Sequence, residues 1–444
     1  VKRYLFISSS GDSLPIAYRL WKEGNDVAVY IHNPRYRHNY DGMIPKATLK
    51  TLPRIVREKE AFVFDMVAPV EHKRDRALHK VFGVKGDSLF GPIADTLRKQ
   101  GKAIIGSSRF TDKMELDRQL GSTMVQKLGL HTPRSKAFNS LSAGAAFLRK
   151  AKGLWAFKPF ENQDLDLTYV EKYPGELVAK LENEYPQRLP DGTGFLLQEK
   201  IDGVEISTEA WWNGSEWGLF NHTIEDKTLM NDNLGPRIGS ATNTVWLKQR
   251  RGLLNDVFEA LTPIVQSAGY AGPVDINAIV GQGGKKTYFL EWTPRLGYDA
   301  IYCLLSLLED PIGQLIEYVA GGSKKPQLQT GQFGSSIRVS IPPYPYENPE
   351  LLELAQGIQI SGAAEDLWLE DVKQERNLNM VCAGSDGVIG VAAASGRTIK
   401  ESVNGAYAKA KAVQIGAYPQ YRTDAGQRAE KARATLKRWG IEVD

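Results

Sequence analysis

The segment Tyr288-Phe-Leu-Glu291-Trp-Thr293-Pro-Arg295-Leu-Gly297 holds the residues whose types and spacing best suit chemistry. It reads as the second strand of a hairpin whose first strand, residues 274–280, carries Asp275, with a flexible Gly281-Gln-Gly-Gly-Lys-Lys286 turn between them. An acidic residue on each of two adjacent strands, facing the same way, can hold Mg²⁺ between oxygen ligands and nucleotide phosphates. Arg295 could then neutralise a phosphate or acyl-phosphate oxygen. A hairpin with a merely solvated polar face satisfies the same pattern. In Gln198-Glu199-Lys200-Ile201-Asp202-Gly203-Val204-Glu205 a strand ends at a hinge. Backbone N–H and C=O there can meet an adenine edge while Glu205 accepts from ribose hydroxyls; an ordinary Asp-Gly turn is the plainer alternative. Lys158 follows the apolar run Trp155-Ala-Phe157, where an inward amine reaches phosphate oxygens as a point charge, although most strand-end lysines are simply solvated.

These residues need a scaffold, and 444 residues, 42% of them apolar, are enough for about three domains. Arg3–Ser8 and Asp26–Ile31 read as strands around a helix that carries Leu14, Ala17, Leu20 and Trp21. Strand-like 61–67, helical 93–99 and strand-like 103–106 continue a parallel α/β layer over residues 1–115. One helix is expected over 111–128. A small αβ module spans 134–202, from helical 145–152 through extended 154–160 and helical 174–185 to extended 194–201. Strands over 205–224 turn at Asn213-Gly214. A linker at 321–326 then leads to a separate α/β unit, 331–444, closed by the basic helix Gln427–Arg438.

The net charge of +4 is spread along the chain, which argues against a dedicated nucleic-acid binder. Cys303 and Cys382 are far apart and form no disulfide framework, so a reducing, cytoplasmic setting is expected. No apolar run approaches the ~20 residues needed to span a bilayer, and residues 2–25 lack a signal-peptide core. His72, His79, His131 and His222 show no metal-ligand spacing, and no serine-nucleophile elbow or P-loop occurs. His32 and His38 flank a loop that could trap a phosphate or be a solvated basic turn.

The ordered segments around Lys158, Gln198–Glu205 and Glu291-Trp-Thr-Pro-Arg295 resemble those of the ATP-grasp superfamily. The whole chain resembles its glycinamide ribonucleotide synthetase family. Supporting segments are Phe90-Gly-Pro-Ile-Ala-Asp-Thr-Leu, Met114-Glu115-Leu-Asp-Arg118, Leu234-Gly235-Pro236-Arg237-Ile-Gly239, Ala383-Gly-Ser-Asp-Gly-Val-Ile-Gly and Tyr421-Arg422-Thr-Asp424-Ala-Gly426. The resemblance implies a parallel α/β domain at 1–115 for the amine substrate. It also implies an ATP-grasp domain at 116–330 with a mobile lid at 134–202, and a C-terminal α/β domain at 331–444. It implies ATP and Mg²⁺ (or Mn²⁺), with Arg118 and Lys158 on phosphates, Glu199 and Ile201 on adenine, Glu205 on ribose, Glu291 on the metal and Arg295 beside it. Ser10, Gly11, Asp12, Ser13, Asp87, Gly235, Pro236, Arg237 and Gly239 fall at substrate-binding positions. The reaction implied is phosphorylation of a carboxylate, glycine first among amino acids, followed by attack of a phosphorylated amine to give an amide. The assembly expected is a monomer or homodimer.

Departures from the family pattern point elsewhere. Asp12 stands where a cation is expected beside phosphate. Pro159-Phe-Glu161-Asn162-Gln163-Asp164-Leu165-Asp166 replaces a glycine-rich lid loop, leaving Asn162 or Gln163 to cover the triphosphate. Thr293 replaces a metal-binding asparagine, an oxygen that Asp275 could restore, as acidic residues there do in other ATP-grasp ligases. Arg237 replaces another asparagine and could bind a phosphate or second carboxylate. These changes imply a different acceptor, such as a modified nucleotide or nucleobase, or a relative that binds nucleotide without turnover.

Overall fold

The computed structural model describes residues 2–160, 167–190, 192–248, 253–346 and 349–443. Four apolar runs, β1 (Arg3–Ser8), β2 (Asp26–Ile31), β3 (Ala61–Phe64) and β4 (Ala103–Ile105), form a parallel sheet in the order β2-β1-β3-β4. Their near-continuous burial is what helices on both faces require. Ser8 pairs with Ile31 and Ile7 with Phe64, so β1, β2 and β3 end together and their following loops converge. Ligands of open α/β sheets bind at such carboxyl ends. The third strand stops at Phe64, short of the expected 67, because Asp65 turns inward to bond Ser13.

The single helix expected over 111–128 is two, Arg109–Leu116 and Arg118–Lys127. Asp117 leaves helical geometry at φ −98°, ψ 89°, and its side chain accepts from Leu120 N, capping the second helix. Apolar periodicity runs straight through this break, so it hid the cap.

β5 (Ser135–Phe138), β6 (Trp155–Pro159), β7 (Tyr169–Val170) and β8 (Phe195–Glu199) form a small antiparallel sheet, β5-β8-β6-β7. It has its own core, in which Phe157 packs 4.5 Å from Tyr185 and 4.8 Å from Phe195 between ring centres. A module with a separate core can move as a unit. Residues 161–166, the acidic lid segment with Asn162 and Gln163, lie outside the described residues.

The remaining strands are β9 (Gly203–Trp212), β10 (Trp217–Thr228), β11 (Arg237–Leu247), β12 (Gly272–Gly281), β13 (Thr287–Thr293) and β14 (Phe333–Ser340). They continue with β15 (Gln359–Gly362), β16 (Leu367–Leu369), β17 (Val372–Gln374), β18 (Met380–Cys382), β19 (Val388–Gly396) and β20 (Val413–Ile415). Eight of them make one antiparallel sheet, β13-β12-β9-β10-β11-β14-β19-β16; the other four form β17-β18-β15-β20. The chain beyond 330 is therefore not a separate unit as expected. β14 pairs with β11, Val245 opposite Gly334, and completes the central sheet. Gly334 permits this, since a Cβ there would fall 2.2 Å from the Cys303 carbonyl oxygen. The same hydrophobic core runs from Tyr4 and Phe6 through Trp211 to Tyr302 and Trp368. Among the described residues no helix is long and apolar enough to cross a membrane.

Arg338 on β14 fastens this continuation to the loop after β13. Its Nε and Nη2 each donate to Asp299 at 2.8 Å, and Asp299 is 1% exposed. Arg338→Met should lower urea stability by about 3–5 kcal/mol by leaving that carboxylate buried and unpaired. Adding Asp299→Asn, tolerated at φ 53°, should recover most of the loss; an unshifted midpoint in the single variant would refute the role.

Candidate active site

Alternation along β9, β10, β12 and β13 brings a polar set to one sheet face. Lys227 on β10 is its centre, with Nζ 2.9 Å from Glu205, 3.4 Å from Glu225 and 3.9 Å from Glu291. Asn277 on β12 donates Nδ2 to Glu205 at 3.4 Å and to Glu291 at 3.5 Å. Arg428, in the first turn of Gln427–Arg438, reaches the same face, donating to the Glu225 carbonyl at 2.5 Å and lying 3.4 Å from Glu205. Burial alone would raise the Glu205 carboxyl, but Lys227 and Arg428 hold it at about 2. Burial likewise opposes ionisation of Glu291, and Lys227, Lys158 and Arg118 together bring it below the usual carboxylate range.

Asp275 and Glu291 lie on one face of adjacent strands but not directly opposite each other. Near the turn, Ile279 faces Tyr288 and Ala278 faces Phe289, but a bulge then sets Asn277 opposite Glu291 and Asp275 opposite Thr293. Without that bulge Glu291 would fall opposite Ile276 and point into the core, since a one-residue slip reverses every side chain. Asp275 is half-buried, accepts from Ser207 Oγ at 3.0 Å, and is pushed well up by desolvation and by the Glu209 and Glu225 charges. Asn277, 4% exposed, leaves Oδ1 without a hydrogen-bond partner. An orphaned amide oxygen beside an ionised carboxylate suits a hard cation. Among the described residues, no three acidic, His or Cys side chains cluster to hold a metal alone, so an ion here would share its ligands with phosphates.

Lys158 lies on β6 opposite Leu196, and Arg118 opens its helix. Both charges act on Glu291. Burial, with Arg118 and Lys227 nearby, lowers the Lys158 ammonium to about 8 despite Glu291. At the hinge, Arg134 grips the Glu199 carboxylate through two 2.8 Å bonds and its carbonyl accepts the Glu199 N–H, also at 2.8 Å. The Ile201 amide and carbonyl have no backbone partner among the described residues. Gly203 follows because the strands close up there; a Cβ would sit 2.2 Å from the Val280 carbonyl oxygen.

Arg295 links this face to the N-terminal loops. It donates Nε to Glu115 at 3.0 Å, stacks 4.8 Å from the Tyr298 ring centre, and its charge acts on Asp12. In the loop after β1, Gly11 (φ 102°) donates to Ser8 Oγ at 2.7 Å and Ser10 Oγ to Asp12 at 2.5 Å. Ser13 donates N–H and Oγ to Asp65 at 3.0 and 2.6 Å. Gly235, Pro236, Arg237 and Gly239 belong instead to the exposed β10–β11 turn and the start of β11, and the Arg237 charge acts on Glu205. Asp87 is exposed, its carbonyl accepting from Val70 N–H. His32 is buried between Tyr30 and Asp75, whose carboxylate lies 2.7 Å from Nε2, and His38 bonds Asp41.

Sequence reasoning missed Glu115, Glu225, Lys227, Asn277 and Arg428. Glu225 and Lys227 are an i, i+2 pair on a strand and Asn277 shares a face with Asp275, so alternation could have found these three. Glu115 and Arg428 gave no such signal, because helix docking places them.

This arrangement of an N-terminal parallel sheet, a small antiparallel lid and a large antiparallel sheet carrying the polar face is the ATP-grasp fold. Within that class the chain is similar to phosphoribosylamine–glycine ligases. The Thermotoga maritima structure superposes with a TM-score of 0.68 at 18% identity, over 95% of this chain and 100% of that one. Biotin carboxylase from Campylobacter jejuni gives 0.59 at 11% identity, over 99% and 97%. In sequence, the phosphoribosylamine–glycine ligase of Corynebacterium ammoniagenes is 24% identical over 363 residues, 78% of this chain and 82% of that one. The trifunctional purine biosynthetic protein of Drosophila pseudoobscura pseudoobscura is 22% identical over 412 residues; the match covers 86% of this chain and only 29% of that protein. No family model matches.

A triphosphate held by Lys158 would keep its amine protonated, so above pH 8 binding must take up a proton. The ATP Kd should stay level below about pH 8 and rise by up to ~10-fold per pH unit above it. Lys158→Arg should remove the break; a level profile to about pH 9.5 in the unaltered protein would exclude Lys158 from phosphate contact.

Proposed function

We propose that the protein is an ATP-dependent carboxylate–amine ligase working through an acyl phosphate. The observation that carries this reading is the convergence of Lys158, Arg118 and Lys227 on Glu291, with Arg295 four residues further along the chain and in electrostatic reach of the Asp12 loop. The Glu199–Ile201 hinge would take the adenine and Glu205, kept ionised, the ribose hydroxyls. Lys158 and Arg118 would hold the phosphates. Glu291 and the free Asn277 oxygen, with Thr293 beside them, would hold Mg²⁺, whose charge would offset that of the phosphates. Arg295 would orient the carboxylate and then the acyl-phosphate oxygen.

A carboxylate oxygen attacks the γ-phosphorus and ADP leaves; the amine then attacks the acyl carbon, releasing phosphate and one proton. Such chemistry demands positioning and charge neutralisation rather than a protein nucleophile. Closure of the lid over the sheet would exclude water that otherwise hydrolyses the acyl phosphate. The similarity to phosphoribosylamine–glycine ligases makes glycine and phosphoribosylamine the first substrates to test. A second reading, a ligase with another acceptor, is favoured by Asp12 and Asp65 lying on the acceptor side. The buried, unpaired Cys303 and Cys382 support a cytoplasmic setting.

ADP release with Mg²⁺-ATP and glycine, with and without freshly made phosphoribosylamine, tests the reading. Glu291→Gln should cut kcat by about 100-fold while changing ATP affinity far less, because metal-held charge matters most in the transition state. Unchanged turnover in that variant would remove Glu291 from the mechanism.

A further inference from the structure

A cavity of about 440 Å³ lies between the helix Leu14–Lys22, the chain around Leu305–Ile312 and β16. Its lining includes none of Lys158, Glu205, Lys227, Asn277 and Glu291, so it is distinct from the polar sheet face. The volume is that of a small-molecule site. Leu305, Leu308 and Ile312 make part of its wall apolar, and Tyr18 and Trp368 make part of it aromatic. Trp368 is 5% exposed and is backed by Tyr302, stacked on it with ring centres 4.9 Å apart.

Arg19 supplies the charge. Its guanidinium carbon sits 3.8 Å from the Trp368 ring centre, a stacking that fixes the fork in the wall. Nη2 donates to the Glu365 and Leu367 carbonyls at 3.4 and 3.2 Å, while Nε and Nη1 have no hydrogen-bond partner among the described residues. Nor, among those residues, does any carboxylate lie within 4.0 Å of Arg19. The acids that share the lining are engaged elsewhere. Glu23 accepts the Ile312 and Gly313 N–H groups at 2.7 and 3.0 Å, Asp310 that of Gln327 at 2.8 Å, and Glu365 pairs with Lys22 at 3.2 Å. Lys409, held by the Ala393 carbonyl at 2.8 Å, adds a second cation in electrostatic reach of Arg19. Burial lowers both below their usual values, the mark of cations without a close counter-ion.

We infer that this cavity binds a small monocarboxylic acid with a flat apolar body, its carboxylate on the free edge of Arg19 and its body against Leu305, Leu308 and Ile312. A planar fork with two free nitrogens matches the two oxygens of a carboxylate. Inorganic phosphate would satisfy Arg19 but leave the apolar wall uncovered. A dicarboxylate would bring its second charge among Glu23, Asp310 and Glu365, which repel it. The site does not depend on the ligase reading, since none of its residues serves that chemistry.

Calorimetric titration of the full chain with 3-phenylpropionate, 3-phenylpropionamide and inorganic phosphate decides the matter. The acid should bind at one site and at least about 10-fold more tightly than its uncharged amide, and phosphate should show no saturable binding. Arg19→Gln, which keeps a donor for the Glu365 and Leu367 carbonyls, should erase the acid's advantage over the amide. Leu308→Trp, which fills the cavity and leaves the guanidinium in place, should abolish binding of both; it carries the test if the melting curve shows that Arg19→Gln does not fold. Absence of saturable binding by the acid, equal binding of acid and amide, or an acid preference intact in Arg19→Gln overturns the inference, the last by placing the carboxylate at another cation.

Discussion

Lys227 holds together a sheet face that would otherwise repel itself. Glu205, Glu225 and Glu291 stand close together on the sheet, and without a shared ammonium the three carboxylates would repel one another and protonate or splay apart. With it, Glu205 and Glu291 remain ionised, while burial still pushes Glu225 upward. The same balance explains why Lys158, arriving from the lid among Arg118 and Lys227, is left with a weakened hold on its proton.

The second constraint is the continuity of the central sheet. Because β14, β19 and β16 extend it, Arg338, Glu370 and the turn at Asp386 are carried over the loops that end β1, β2 and β3. Arg295 links the polar sheet face to the loop after β1, tied to Glu115 and in electrostatic reach of Asp12.

Particular elements show why some of this was legible. β1 and β2 are short apolar runs bounded by turn residues, and they lie where their composition places them. The lid module and the hinge before Gly203 carry local signals of the same kind, an apolar strand and an Asp-Gly step. The helix break at Asp117 was hidden because a capping aspartate and an interior one look alike until the chain turns. The union of residues beyond 330 with the central sheet was equally hidden, since partners 90 residues apart leave no mark in local pattern.

Residue type and spacing by themselves determined the α/β layer, the small module over 134–202, and the presence of Lys158, Glu205, Glu291 and Arg295 on strands or at strand ends, because alternation and apolar burial are local properties of the chain. Tertiary structure alone decided which groups meet. A single bulge set Asn277 rather than Ile276 opposite Glu291 and turned Glu291 out of the core. Helix docking delivered Arg428 to Glu205. Charges on strands and helices distant in the chain meet on one face, and Coulombic interactions depend on distance in space, which sequence separation does not reveal.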